Sequence, residues 1–435
     1  MSPDTSVAHR DRLAPRGLTL LYLAFAYICL GLAFLIVALV PQTIGGFFYN
    51  AKMLAVVHLV TLGWITSSIL GYFYLAGPLA LRSVMRAGWA DYLALALVVL
   101  GVSGLVTHFW IEEYSGMVWS AGTLLLGLAL VAVRGVRMVL AAKVQPGVKL
   151  HISLAFFNVL GAGVLGMLLG LEKQLIHVLP GYMLHSVYAH AHLAALGWAT
   201  MMVMGLGYRL FPMVLPSAMP SKGRTWASAI LVEAGLLVLL VGLLVGSAAA
   251  IRGGTLLVLA GLAAFFLQVV WMKRHPKRTP KGLKRPDFGT LHAIQGIFYL
   301  LIAAALGSAL AFAPAGAWKV RAAMAYGVFA LIGFLAQMII GMSARILPMF
   351  SWMHHYVGSD FEVIPPSQYT MHNRGLQALG FLLWTIGVPL LAWGLSFDHW
   401  RMVSSAGALL LVALTCNGIN SVGIARHAFN YPRER

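Results

Sequence analysis

Apolar stretches long enough to cross a lipid bilayer recur along the whole chain and leave room for few other architectures. A membrane helix needs about 20 consecutive apolar residues, and twelve such segments follow one another. Their runs are continuous, whereas the strands of a membrane β-barrel alternate apolar and polar residues. We therefore predict an all-α membrane protein with twelve transmembrane helices. The predicted spans are 18–40, 53–76, 91–111, 117–136, 151–171, 184–208, 225–247, 254–272, 289–312, 322–347, 374–396 and 401–424.

The composition excludes a water-soluble protein. Of the 435 residues, 60% are hydrophobic and only 10% are charged, which is less than half the charged share typical of soluble domains. Cys29 and Cys416 both lie in apolar segments, so neither a disulfide framework nor a zinc site is expected. A short basic stretch precedes the first span. The apolar run behind it is too long for a signal peptide, and we expect it to be retained.

The distribution of lysine and arginine predicts how the chain crosses the membrane. With the N-terminus inside, the inner segments hold 24 of the 30 basic residues and the outer loops hold 6. Because basic loops stay in the cytoplasm, we predict a multi-pass protein of the bacterial inner membrane with both termini cytoplasmic. The richest loop, 273–285, is interpreted as a contact for anionic membrane lipid. No nucleic acid partner is expected, although the net charge is +18.

An internal repeat relates every fourth span. HLVTLGWITSSILGYFY (58–74) and HLAALGWATMMVMGLGY (192–208) are identical at eight of seventeen positions at an offset of 134 residues, where composition alone gives roughly one or two matches. A weaker echo links 205–213 with 341–349 at an offset of 136. Generic helix packing explains single glycines and aromatic residues but not an ordered string. The repeat predicts three similar four-helix arcs in one membrane domain. The units are approximately 18–150, 151–287 and 288–424.

Three of the fifteen histidines, His58, His190 and His192, are predicted to lie in the outer half of spans 2 and 6. An imidazole at that depth costs free energy unless it is paired, so it indicates a functional site. His58 and His192 occupy equivalent repeat positions and are expected at similar depth on facing helices. Two imidazoles from facing helices can hold one haem iron between them. His58 and His192 are therefore the predicted axial ligands. His190 is the substitute ligand. It lies about 200° from His192 around the helix, so the two rings do not occupy the same place, and one can bind the metal while the other faces a neighbour.

Other polar residues leave alternatives open. Each histidine has a purely structural alternative, in which its ring only bonds a backbone carbonyl. Gly63 and Gly197 remove side-chain bulk where a macrocycle or a second helix presses. Glu233 in span 7 either passes protons or is a structural carboxyl. Arg321 and Arg401 are candidate partners of haem propionates on the outer side, although snorkelling at the interface is the usual role of such residues.

Twelve spans, three predicted arcs and an outer-half histidine in span 2 resemble the catalytic subunit I of haem–copper oxidases and nitric oxide reductases. The strings HAHLAALGW (190–198) and HLVTLGW (58–64) are similar to those of divergent bacterial subunit-I-like proteins, and NnrS-like haem proteins are a looser comparison. Helix count and order match over nearly the whole chain, but the motifs cover only spans 2, 6 and 10. The resemblance implies a low-spin haem on His58 and a copper ligand at His190 or His192.

The chain departs from that family at several ligand positions. No histidine occurs in 226–246, where the family has a pair in span 7, or in 293–353, where it has two haem ligands in span 10. Val328 stands at the repeat position of one of these ligands. Tyr188 precedes His192, whereas the family tyrosine follows the copper ligand. The resemblance therefore implies the scaffold and one haem between spans 2 and 6, without a complete haem–copper centre.

Functions of different classes remain in competition. The leading hypothesis is a membrane protein that uses haem b, with copper as an optional second metal, for electron transfer or for binding and reducing a diatomic gas (nitric oxide or oxygen). It makes the protein a haem-dependent oxidoreductase. Its electrons are expected from quinol or a separate cytochrome, because the chain contains no attachment motif for c-type haem. The alternative is a non-enzymatic transporter or metallochaperone for copper or haem. In a third reading the histidines are structural and the protein is a cofactor-free carrier.

Overall fold

A computed structural model describes residues 13–429 except 82, 84, 175, 180, 215, 278–284, 359–363, 365 and 366. Residues 1–12, which include Arg10 and Arg12 of the basic stretch, and most of the basic loop lie outside the described residues. Within these residues, twelve helices are long and apolar enough to cross a membrane, which confirms the prediction of a multi-pass all-α membrane protein. They are α1 (Arg16–Leu39), α2 (Ala51–Leu75), α3 (Trp89–Ile111), α4 (Met117–Ala141), α5 (Pro146–Lys173), α6 (Met183–Pro212), α7 (Gly223–Val245), α8 (Ala248–Arg274), α9 (Phe288–Phe312), α10 (Trp318–Val357), α11 (Arg374–Ser396) and α12 (Trp400–Arg426).

Helices α2, α6 and α10 occupy the centre of the bundle. In the most apolar 18-residue stretch of each of these helices, 72%, 72% and 61% of the residues are buried. The corresponding share in the other nine membrane-length helices is 22–44%. Those nine form a closed ring of neighbours in contact, in the order α1, α3, α4, α5, α7, α8, α9, α11 and α12. Ring helices carry exposed large apolar side chains such as Ile28, Phe157 and Leu267. These side chains are suited to contact with lipid.

Each central helix contains a π-helical segment of eight residues: Leu59–Thr66, Leu193–Thr200 and Phe329–Ala336. These segments lie 134 and 136 residues apart, which are the offsets found in the sequence. In α2 and α6 the segment begins immediately after His58 and His192. Because π-helices are rare and often mark functional sites, the middle of the three central helices is a candidate functional region.

Close helix contacts at glycine recur at the same offsets. The first set pairs a glycine of each π segment with a residue of α1, α5 or α9: Gly63 with Cys29, Gly197 with Asn158 and Gly333 with Tyr299. The second set lies two turns further along the same central helices: Gly71 with Tyr22, Gly205 with His151 and Gly341 with His292. An added Cβ would lie between 2.3 and 3.1 Å from these partners. Gly63 and Gly197 therefore admit a second helix, which is one of the two roles predicted for them.

Gly333→Ala is expected to lower the free energy of unfolding by about 1–3 kcal/mol, the usual cost of overpacking a tight contact. The new Cβ would lie 2.8 Å from Tyr299 Cγ. Gly327→Ala on the same helix is the matched control, because nothing lies within 4 Å of its added Cβ. Thermal unfolding in detergent should show a lower melting temperature for the first variant only. Equal melting temperatures for the two variants would contradict the packing argument.

The ends of the bundle define two faces. Arg16 Nη1 donates to Ala428 O at 3.1 Å, so α1 begins and α12 ends on the same face, called the terminal face below. The opposite face carries Lys52 at the start of α2 and Lys173 at the end of α5. The prediction that the terminal face is cytoplasmic stays a prediction.

Candidate functional site

His58 lies in α2 directly before its π segment. Its Nδ1 is 2.7 Å from Leu54 O. A carbonyl oxygen only accepts hydrogen bonds, so Nδ1 carries the hydrogen and Nε2 is the accepting nitrogen of the neutral ring. The imidazole stacks on Phe109 of α3, with ring centroids 4.9 Å apart and an interplanar angle of 22°. His58 thus faces α3.

His190 reaches from α6 to α5, where its Nδ1 lies 3.0 Å from Ala162 O. Nδ1 again donates, and Nε2 is again left as the acceptor. A glycine makes room for the ring, since a Cβ at Gly166 would lie 2.9 Å from His190 Cε1. His190 interacts electrostatically with His58. The two imidazoles therefore lie in one region of the bundle, bounded by α2, α3, α5 and α6 and called the histidine crevice below.

His192 repeats the local geometry of His58 but faces another part of the bundle. Its Nδ1 lies 2.8 Å from Tyr188 O, four residues earlier. Its ring stacks on Tyr326 of α10 at a centroid distance of 6.0 Å, and the Tyr326 hydroxyl is 3.4 Å from Nε2. The structure thus brings His58 near His190, and His192 near Tyr326.

Two nitrogen atoms in the histidine crevice are unpaired. His58 Nε2 and His190 Nε2 have no hydrogen-bond partner in the part of the chain that the structure describes. Protein surrounds both rings, yet each residue keeps some accessible surface. An acceptor without a partner costs free energy at membrane depth. These two lone pairs are therefore suited to a metal ion or to a bound hydrogen-bond donor.

Arg321 and Arg401 lie at other positions on the opposite face. The Arg321 guanidinium lies 5.3 Å from the ring centroid of Phe397. Arg401 lines a cavity of about 650 Å³ between the end of α1 and the start of α12, together with Pro41 and Trp400. Both arginines are exposed. Their contact with haem propionates stays a prediction.

Two lysines that the sequence reasoning missed lie on the opposite face, at the ends of helices that bound the histidine crevice. Lys52, six residues before His58, forms a salt bridge of 3.3 Å with Glu112. Lys173 Nζ lies over two aromatic rings, 4.5 Å from the Tyr49 centroid and 5.2 Å from the Tyr114 centroid. Their position in the outer loops, where few basic residues occur, was the feature of the sequence that could have singled them out.

Glu233 of α7 has a partner within the membrane. Asn158 Nδ2 lies 2.9 Å from Glu233 Oε2 and 3.2 Å from Gly197 O, so one amide joins α5, α6 and α7. This amide is one turn before Ala162, whose carbonyl holds His190. The contact provides the partner that a structural carboxyl needs. Proton transfer by Glu233 stays a prediction.

The number of ligands limits which metal sites are available. No group of three or more His, Cys, Asp or Glu side chains that could hold a metal ion is found among the described residues. Structural zinc takes four protein ligands, whereas a haem iron already held by its macrocycle takes one or two axial ligands. The histidine crevice offers the second kind of site.

Comparison with known proteins adds no family to these observations. No protein-family model matches the chain, and no curated protein matches it in sequence. The function therefore has to be inferred from the arrangement of the chain's own residues.

Proposed function

We propose that the chain is a membrane haem protein that binds haem b in the histidine crevice, through His58 and His190. One observation carries the proposal: two imidazoles from different helices interact electrostatically, and the Nε2 atom of each has no partner among the described residues. The pair predicted from the repeat, His58 with His192, is the competing ligand pair.

The hydrogen bonds of His58 and His190 support their proposed role as iron ligands. Both rings are the tautomer in which Nε2 is free to bind iron. Their Nδ1–H groups bond the carbonyls of Leu54 and Ala162, and such outer bonds orient a ligand and raise its basicity. Gly166 keeps the wall next to His190 free of a side chain. When bound, haem supplies one-electron redox chemistry and a site for diatomic gases.

The chain's own residues position the group and exclude water. Phe109 covers one side of the His58 imidazole. Phe48, which precedes α2, packs on Tyr188 of α6 with ring centroids 5.9 Å apart. Lys173 links the segments before α2 and before α4 through its two aromatic contacts. Aromatic side chains around a site lower the local dielectric constant, which strengthens the electrostatic interactions within it.

We also propose an arrangement for the twelve helices. The repeated π segments and glycine contacts support three four-helix arcs around α2, α6 and α10, in an arrangement that resembles subunit I of haem–copper oxidases. The proposed role is electron transfer, or binding and reduction of nitric oxide or oxygen, with electrons from quinol or a cytochrome. The proposed location is the bacterial inner membrane, with the terminal face in the cytoplasm.

The absorption spectrum of the purified protein tests this function. Expressed with a full supply of haem, the protein should show a Soret band and contain about one extractable haem b per chain. Reduction with dithionite should shift the band, as expected of a redox-active iron. A correctly folded preparation without a Soret band, which also fails to take up added haem, would eliminate the proposal.

Carriage of copper or haem on the same scaffold is the second candidate function. It is favoured by the small number of ligands, since two imidazoles without a third protein ligand suit a metal that is released again. Metal analysis separates the candidates. Copper bound by the purified protein without haem, together with a copper uptake or efflux defect after gene deletion, would favour the carrier.

A further inference from the structure

A second polar region lies far along the chain from the histidine crevice. A cavity of about 20 Å³ is enclosed by α9, α10, α11 and α12 in the half of the bundle next to the terminal face. That volume holds about one water molecule. Its lining includes four polar side chains, an indole and a thiol: His292, Gln377, Asn417, Asn420, Trp384 and Cys416.

Trp384 brings an unpaired hydrogen-bond donor to the lining of this cavity. Its side chain is 1% exposed, and its Nε1–H has no acceptor among the described residues. A buried donor without an acceptor costs about 1–3 kcal/mol. His292 Nδ1 lies 3.2 Å from Gln337 Nε2, which leaves His292 Nε2 as a donor. An occupant that accepts hydrogen bonds satisfies these donors, and a water molecule fits the volume.

Hydrogen bonds continue from the cavity toward the middle of the membrane. Gln337, which contacts His292, also donates to Gln295 Oε1 at 2.6 Å. Thr385 Oγ1 lies 3.0 Å from the same oxygen. Gln295 Nε2 lies 3.4 Å from the hydroxyl of Tyr299, which is near the middle of α9 and packs against the π segment of α10. Polar groups of three helices thus reach the depth of the π segments.

Polar contacts also connect the cavity with the terminal face. Asn420 Nδ2 lies 3.3 Å from His372 Nδ1, and Asn420 Oδ1 accepts from the backbone N–H of Asn373 at 2.9 Å. The charges of Arg345 and Asp287, which form a salt bridge, act on His372. Because His372 and Asn373 precede α11, and Gln377 of the cavity lies one turn into that helix, these contacts join the cavity to the end of the bundle at the terminal face.

We propose that this cavity binds a water molecule that exchanges with solvent on the terminal face, so that protons reach His292 and the polar chain ending at Tyr299. Bonding between helices explains each protein–protein pair in the chain. It does not supply the acceptor that Trp384 lacks, whereas a bound water does. The proposal is independent of haem in the histidine crevice.

The two native cysteines provide the test, because Cys416 lines the cavity whereas Cys29 is packed against Gly63. A thiol hydrogen exchanges with deuterium only where water reaches it. The intact protein is transferred into D₂O, and loss of the S–H stretching band is followed by infrared spectroscopy. Cys29→Ala and Cys416→Ala assign the two bands. The Cys416 thiol is expected to exchange at least about tenfold faster than the Cys29 thiol, which needs local opening of the helix contact.

A variant of the lining completes the test. Gln377→Leu keeps the size of the side chain but makes one wall of the cavity apolar, and it should slow exchange at Cys416 toward the rate of Cys29. If Cys416 exchanges no faster than Cys29, the cavity is dry and the proposal is wrong. If Cys416 exchanges fast but Gln377→Leu leaves its rate unchanged, water reaches the thiol by another route, which also overturns the proposal.

Discussion

His58→Ala and His190→Ala are each expected to lower the haem content of the purified protein by at least about tenfold, since loss of even an outer-shell partner costs that much affinity. Each substitution removes one of the two Nε2 atoms in this region that have no partner among the described residues. The ratio of Soret to protein absorbance, checked by haem extraction, measures the effect. His177→Ala is the matched control, because that imidazole is exposed at the opposite face.

His192→Ala decides between the two ligand pairs. If His58 and His190 hold the haem, this variant keeps its haem, because His192 contacts Tyr326 rather than the other two imidazoles. Loss of haem in His58→Ala and His192→Ala, with retention in His190→Ala, would instead support the pair predicted from the repeat. Full haem content in both His58→Ala and His190→Ala would exclude the histidine crevice as the binding site.

The spans were predictable because a membrane imposes a length of apolar chain that few other structures need. Their ends were less predictable. Helix α8 begins at Ala248, six residues before the predicted span, and passes Arg252. It continues on the other side to Lys273 and Arg274. Helices extend into the headgroup region, where arginine and lysine are tolerated, so apolar composition marks the hydrocarbon core and not the helix end.

The repeat alone does not predict which side chain lies next to the His58 imidazole. In a rotationally repeated bundle, equivalent residues point into successive crevices and not toward each other. His58 and His192 accordingly have separate neighbours. The neighbour of His58 is His190, and the neighbour of His192 is Tyr326. These two neighbours are themselves equivalent in the repeat, since they lie 136 residues apart. The sequence indicates which positions are equivalent, but the contact across the centre depends on how neighbouring units are arranged.

The π segments were also missed. Their residues are ordinary helix and membrane residues, and the extra residue per turn becomes favourable only when neighbouring helices are in place. The glycines were the one feature of the sequence that pointed to these segments, since Gly63 and Gly197 were predicted to admit a close neighbour. The polar chain from His292 to Tyr299 had a weaker signal. Glutamines in membrane spans commonly bond a neighbouring helix, but the sequence does not indicate that Gln295 and Gln337 belong to one connected network.

The burial of Asp91 was also not predictable from the sequence. The sequence places it at the first position of a predicted span, where a carboxylate is normally solvated. The structure buries it completely, between Arg134 of α4 at 2.9 Å and the hydroxyl of Tyr74 at 2.8 Å. The backbone N–H of Gly88 also donates to it, at 2.7 Å. A buried carboxylate with these partners joins α2, α3 and α4.

Arg134→Ala is expected to lower the free energy of unfolding by about 3 kcal/mol, because it leaves the Asp91 carboxylate buried without its cation. The Asp91 side chain is 0% exposed, so water cannot readily replace the guanidinium. Thermal or denaturant unfolding in detergent measures the loss. Arg137→Ala, three residues further along α4, is the matched control for removal of a basic residue, and its effect should be small.

A double-mutant cycle separates the ion pair from the packing of the arginine stem. Asp91→Asn removes the charge while its side-chain oxygen still accepts from Tyr74, so Arg134→Ala should cost much less in that background than in the native chain. Equal losses in the two backgrounds would mean that Arg134 contributes through its stem or through its bond to Arg86 O, at 2.7 Å, and not through the carboxylate. Unequal losses would establish that a buried charge pair holds α3 and α4 together on the terminal face.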